Sequence, residues 1–241
     1  GIETTTGPLG QGLATAVGMA LAERSLNVKF GDEIVDHFTY VIAGDGCLME
    51  GISHEAISMA GHLGLGRLIV LWDDNDISID GPTNKTVKDD QIARFKASGW
   101  HVASCDGHNP EAIYTAIKDA KNNNKPSLIA CKTVIGLGAP KKEGTAATHG
   151  SPLGDEEIAG AREKLGWEYE PFLIPDDILT AWRETGARGI GDRDSWEGRL
   201  LGLEKLKREE IDRSLKGELP SGWKKALNQH KAQCSSNKPE W

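Results

Sequence analysis

A chain of 241 residues is long for one domain and short for two, because domains usually run roughly 100–200 residues. Its 38% hydrophobic and 27% charged residues form an ordinary globular mixture, which excludes a low-complexity or collagen-like chain. The net charge of −8 argues against a broad basic nucleic-acid surface, and no apolar run approaches the roughly 18 residues that span a bilayer. Neither nucleic acid nor membrane is therefore an expected partner. Cys47, Cys105, Cys131 and Cys234 are scattered with no Cys-x-x-Cys pair, which argues against a zinc site or disulfide framework and fits a reducing compartment. The 29 glycines exceed the usual ~7% share and call for close backbone approaches. The chain opens at Gly1 rather than methionine, which suggests a fragment.

From Pro8 to Leu26 the apolar residues Leu9, Leu13, Val17 and Leu21 recur every four positions, and Pro8 suits a helix's first turn. A buried helix is predicted there. Phe38 to Ala43 reads as a central strand stopped by a tight Gly44-Asp45-Gly46 turn. A helix from about Leu48 to His62 leads to a second strand, Leu68 to Trp72, and then to the polar Asp73-Asp74-Asn75. A helix around Asp90 to Ala97, a strand Trp100 to Ser104, a helix Pro110 to Lys121 and a strand Ser127 to Thr133 follow. This alternation predicts an α/β fold, a doubly wound, mostly parallel sheet with helices on both faces. Past Thr133, Gly136, Gly138, Pro140, Gly144, Gly150 and Pro152 mark a long aperiodic loop, a kind of segment that is often functional. A helical C-terminal extension is expected over Asp155 to Leu165, Asp176 to Arg183, and Arg193 to about Leu215 with Leu200, Leu203 and Leu206 as its apolar stripe.

In doubly wound sheets, ligands bind beyond the carboxyl ends of the strands, which directs attention to Asp45 and Asn75. They stand about one βαβ unit apart, and a right-handed crossover puts both strand ends on the same side of the sheet. The crossover helix also turns its free N–H groups and positive end to that crevice. A carboxylate and an amide oxygen are hard donors suited to Mg²⁺ or Ca²⁺ against phosphate oxygens, so the chemistry implied is a metal-bridged diphosphate. The chain carries neither a Gly-x-Gly-x-x-Gly after a strand nor a P-loop. Asp74, Asp76, Ser78 and Asp80 alternate as in an EF-hand, but Ile79 and Lys85 stand where its glycine and glutamate belong. His54-Glu55 begins like a zinc-protease helix, yet Ser58 replaces the second histidine.

The run Gly44-Asp45-Gly46-Cys47-Leu48-Met49-Glu50-Gly51 through Asp73-Asp74-Asn75 resembles the thiamin diphosphate signature of transketolase. Thr5-Thr6-Gly7-Pro8-Leu9-Gly10-Gln11-Gly12 and the stretch from Lys132-Thr133 through Gly136 to His149-Gly150 resemble the same family, densely from Gly1 to Trp167 and loosely beyond. The resemblance implies Asp45, Asn75 and the backbone carbonyl of Ile77 as ligands of Mg²⁺, with Ca²⁺ as a substitute. It implies Gly46 at the diphosphate, Gly7, Pro8 and Leu9 at the cofactor rings, and His149 as a catalytic residue near cofactor and substrate. Glu50 and Glu55 read either as helix N-terminal acids or, through the family, as dimer contacts near the cofactor. Lys141 and Lys142 are read as a solvated pair, and His37, His62, His101, His108 and His230 as structural.

The implied function is transfer of a two-carbon ketol unit between sugar phosphates, in the pentose phosphate pathway or Calvin cycle, by a homodimer. The cytoplasm is the expected location, or the plastid stroma in a photosynthetic eukaryote. Residues 1–187 would form the diphosphate- and Mg-binding domain without its N-terminal part, and 188–241 a helical linker toward a missing pyrimidine-binding domain. The alternatives are a dihydroxyacetone synthase fragment, or a non-catalytic or split subunit that binds Mg-diphosphate beside a partner chain.

Overall fold

A computed structural model of the chain describes residues 2–236. Helix α1 (Gln11–Phe30) starts three residues after Pro8 and runs past Leu26. Pro8 lies instead in a turn that ends at Gly10, whose φ of 81° favours glycine. A Cβ on Gly10 would stand 2.8 Å from that of Glu50, so the chain must pass close to that segment before turning helical. The predicted stripe is therefore cut short: Leu13 and Val17 are buried, while Leu9 is exposed.

Strand β1 (Thr39–Gly44) runs directly into a short helix α2 (Asp45–Met49), where a tight turn was expected. Glu50 takes an extended conformation, which separates α2 from α3 (Gly51–Leu63). Strand β2 (Leu68–Asp74) is followed by a small antiparallel hairpin, β3 (Ile77–Ser78) and β4 (Gly81–Pro82). Next come α4 (Gln91–Ala97), β5 (His101–Asp106), α5 (Pro110–Lys121) and β6 (Ser127–Lys132). Side-chain caps start two of these helices: Asp90 accepts from the Ala93 N–H, and Asn109 accepts from those of Glu111 and Ala112.

The main sheet has the order β1-β2-β6-β5 with every pair parallel. Alternation along β2 divides the core: Leu68, Val70 and Trp72 pack with α1, α3 and α4, whereas Ile69 and Leu71 join the cluster under α5. Helices thus cover both faces, the doubly wound arrangement expected from the sequence. Among the described residues, no helix is long and apolar enough to cross a membrane.

Five helices follow: α6 (Asp155–Lys164), α7 (Asp176–Ala187), α8 (Gly189–Leu201), α9 (Lys205–Leu215) and α10 (Trp223–Ser236). The single helix expected over Arg193 to Leu215 is two, interrupted between Leu201 and Lys205. Leu200 and Leu203 pack against Phe30, Ile34 and Ile211, but Leu206 is 79% exposed, because the interruption rotates it off the stripe. Trp196 Nε1 donates to the Ile34 carbonyl at 2.8 Å, and Arg199 Nε donates to that of Glu33 at 2.7 Å. Helices α8 and α9 thereby pack back on the α1–β1 connection.

Gly10→Ala is expected to lower unfolding stability by about 2 kcal/mol, since it adds a strained positive φ and a contact with Glu50. Urea denaturation checks this, with Gly7→Ala as the neutral control, because a Cβ on Gly7 meets nothing within 4 Å.

Candidate active site

Gly44 of β1 pairs with Asp73 of β2, so Asp45 and Asn75 leave the sheet at one edge. Asp45 occupies the first turn of α2 and is only 9% exposed. Its Oδ1 accepts from Trp72 Nε1 at 3.2 Å, and its Oδ2 accepts from the Asn75 N–H at 3.3 Å. Both donors are neutral, and among the described residues no cation forms an ion pair with this carboxylate. Burial pushes its pKa up to about 6, opposed by the two hydrogen bonds and reinforced by Asp74 and Asp76.

Asn75 Oδ1 accepts from the Ile77 N–H at 3.0 Å, and its Nδ2 donates to Asp73 Oδ2 at 3.3 Å. Asp76 between them has φ 62°, a left-handed conformation that aspartate tolerates better than most side chains, and it turns the chain from β2 into β3. Thr133 Oγ1 donates to Asp73, while Lys132 Nζ reaches Asp74 at 3.3 Å and Asp76 at 2.5 Å. The start of α2 leaves its first N–H groups without intrahelical partners, and Gly46 lies in that turn. A Cβ on Gly46 would stand 3.1 Å from Leu9 Cδ1, so the N-terminal turn packs over α2.

The structure thus brings Leu9, Asp45, Gly46, Asn75 and Ile77 together, with Gly7 and Pro8 in the turn that carries Leu9. These groups fit a divalent cation on a diphosphate. A buried carboxylate held only by neutral donors lacks a compensating charge, which a hard cation supplies. Among the described residues no three His, Cys, Asp or Glu side chains cluster to hold a metal. A site built from one carboxylate, one amide oxygen and one backbone carbonyl leaves its remaining positions to phosphate oxygens and water.

His149 stands apart. It follows a short 3₁₀ turn (Ala146–Thr148), is exposed, and its imidazole meets no partner among the described residues. The loop carrying it is nevertheless anchored. Glu157 of α6, buried, accepts from the N–H groups of Lys141 and Lys142 at 3.1 and 3.3 Å, and Lys142 Nζ donates to the Leu153 carbonyl at 2.7 Å. Lys142 is therefore a structural brace rather than half of a solvated pair. Glu143 accepts from the Gly138 N–H and pairs with Lys164 at 2.6 Å. His108 accepts from the Val134 N–H at 2.8 Å, tying the loops after β5 and β6 and keeping the structural role expected for it.

Sequence reasoning assigned no individual role to Trp72, Asp73, Lys132, Thr133 or Glu157, although Asp73 and the Lys132-Thr133 pair lie in stretches that carry the resemblance. The end of β6 beside that of β2 could have drawn attention to Lys132 and Thr133, whereas Glu157 carries no local signal.

The family model described as "Transketolase, thiamine diphosphate binding domain" matches residues 1–220. The chain belongs to this family. It is 66% identical over 200 residues to a transketolase of Cereibacter sphaeroides, covering 83% of this chain and 30% of that protein. A Sinorhizobium medicae transketolase is 53% identical over 237 residues, 98% of this chain and 34% of the relative. Among solved structures, transketolase from Leishmania mexicana aligns with a TM-score of 0.87 at 41% identity, covering 92% of this chain and 35% of that one. A Pichia stipitis transketolase R356L mutant in complex with fructose-6-phosphate gives 0.88 at 42%, covering 94% and 35%. The chain spans about a third of the length of these relatives.

In this thiamine diphosphate-binding domain the raised pKa of Asp45 has a definite sign. The native state binds the proton more tightly than the unfolded chain, so this group's contribution to stability grows as pH falls through about 6. In EDTA, the stability margin of the wild type over Asp45→Ala, measured by urea denaturation, is expected to widen from pH 7.5 to pH 5.5. A margin that narrows instead means that burial does not govern this carboxylate.

Proposed function

We propose that the chain is the diphosphate-binding part of a transketolase, in which Asp45, Asn75 and the Ile77 carbonyl hold Mg²⁺, or Ca²⁺ in its place, against the cofactor's diphosphate. The observation that carries this reading is the buried Asp45 carboxylate, held among the described residues only by Trp72 and the Asn75 amide at the shared end of β1 and β2. Residues 1–187 are assigned to the diphosphate domain and 188–241 to the helical connection toward a pyrimidine-binding domain, with residues 1 and 237–241 lying outside the described residues. The relatives above are transketolases, and nothing in them favours dihydroxyacetone synthase.

Thiamin diphosphate, when bound, supplies the electron sink for breaking and making the carbon–carbon bond as a two-carbon ketol unit passes from a ketose phosphate to an aldose phosphate. The chain's own residues position and protect. Gly46 presents a backbone amide without a side chain beside the diphosphate, and Gly7, Pro8 and Leu9 offer a backbone edge and one apolar side chain to the rings. His149, whose imidazole meets no partner among the described residues, exchanges a proton or hydrogen-bonds a sugar hydroxyl. The substrates proposed are sugar phosphates, in keeping with the fructose-6-phosphate and xylulose-5-phosphate complexes of the Pichia stipitis enzyme. Glu50, exposed at the break between α2 and α3, and Glu55 on α3 are proposed as contacts in a homodimer. The cytoplasm is the proposed location.

The test is a chimera in which this segment replaces its counterpart in the Sinorhizobium medicae transketolase. The chimera is expected to transfer a ketol unit from xylulose-5-phosphate, and the isolated chain is expected not to. Asp45→Ala should abolish cation-dependent cofactor binding in calorimetry. His149→Asn should lower kcat/KM by roughly 10²-fold while leaving cofactor affinity intact. A folded chimera whose Asp45→Ala variant keeps full activity would refute the reading.

A further inference from the structure

At the opposite end of the sheet from Asp45, about 20 Å away along a six-residue strand, lies a cavity of about 330 Å³. It is bounded by α1, by the segments that lead into β1 and β2, and by the α5–β6 connection. Its volume is at the small end of ligand pockets, which run roughly 300–1,000 Å³. Glu23 of α1 lines it and is only 2% exposed, yet among the described residues it accepts no hydrogen bond and forms no ion pair. An unpaired buried carboxylate is costly, and burial holds this one above the usual carboxylate range, while His37, Arg67 and Arg24 act on it only from a distance.

The cations of the same cavity are disposed differently. Arg67 pairs with Asp36 and lies over the Phe38 ring. Lys121 Nζ stands 5.3 Å from the centre of that ring, and Arg24 donates to Asn27 at 3.2 Å. Among the described residues neither Lys121 nor Arg24 has a carboxylate partner. Among the described residues, one cavity thus presents a carboxylate with no cation in direct contact and two cations, Lys121 and Arg24, with no carboxylate in direct contact, although Arg24 acts on Glu23 from a distance.

We propose that this cavity binds a small zwitterion, a free α-amino acid, with its ammonium group on Glu23 and its carboxylate on Lys121 and Arg24. An ammonium supplies both the charge and several hydrogen-bond donors that a buried carboxylate requires. The ligand's own carboxylate would engage Lys121 and Arg24, both exposed at the rim of the cavity, a contact that a simple cation at Glu23 cannot make.

The experiment is calorimetric titration of the purified chain with each proteinogenic α-amino acid, with methylammonium and acetate as half-ligands and fructose-6-phosphate as a competitor of other chemistry. At least one amino acid is expected to bind with a Kd near or below ~1 mM, and each half-ligand at least about tenfold more weakly. Glu23→Gln and Lys121→Met should each weaken binding about tenfold or more with circular dichroism unchanged; Lys121 is a surface residue, so its variant tests the idea even where Glu23→Gln disturbs folding. Silence from every amino acid at ~10 mM, binding that survives Lys121→Met undiminished, or binding of fructose-6-phosphate alone would overturn the proposal.

Discussion

The carboxylate of Asp45 is the constraint around which this domain is arranged. Removing a charge from water is expensive unless something compensates it, and here two neutral donors do so only in part, leaving the pKa near 6. Trp72 Nε1 arrives from the middle layer of the sheet, and the Asn75 amide from its edge, so both depend on the register that sets Gly44 against Asp73. A slip of one residue between β1 and β2 would turn Trp72 to the α5 side and leave Asp45 without either donor. The hydrophobic packing of Leu68 and Val70, which fixes that register, is therefore also what fixes the site.

The neighbouring acids show how the same region avoids collapsing onto its own cations. Lys132, from the end of β6, is drawn to Asp74 and Asp76 and does not pair with Asp45. Thr133, one residue on, is engaged by Asp73. Positive charge thus satisfies the outer acids, while the inner carboxylate keeps its unpaired charge for an external cation. The loop beyond Thr133 starts from this polar knot and is held at its far side by Glu157, which explains how a stretch without periodicity carries an ordered path to His149.

Much of this was legible in the residues themselves. The alternation of apolar runs with helical stripes gave the strands and their order of appearance, and the strand-end rule singled out Asp45 and Asn75. Some elements were misread because their cause is tertiary. Nothing in the spacing of Leu9, Leu13, Val17 and Leu21 reveals that Gly10 must pass within contact of Glu50, which delays α1 and releases Leu9 to lie over Gly46. The interruption between Leu201 and Lys205 likewise follows from Leu203 turning inward to meet Phe30 and Ile34. Gly44-Asp45-Gly46 has the composition of a turn, yet it forms a helix start because Asp45 is held from two sides at once.

The break at Glu50 completes that placement. Gly10 lies against one side of it, and from the other Arg94 of α4 donates to the Leu48 carbonyl at 2.8 Å and meets the His54 ring through Nη1. A guanidinium at the C-terminal end of α2 complements the partial negative charge there, although burial lowers its pKa and, among the described residues, its Nε has no partner. A five-residue helix has little stability of its own, since one turn barely offsets the cost of its nucleation. Its two ends must be fixed by other elements: Asp45 by Trp72 and Asn75, Leu48 by Arg94. The orientation of the first turn of α2, and with it Asp45 and Gly46, is thus inherited from β2 and α4, which is how residues about 30 positions apart come to share one end of the sheet.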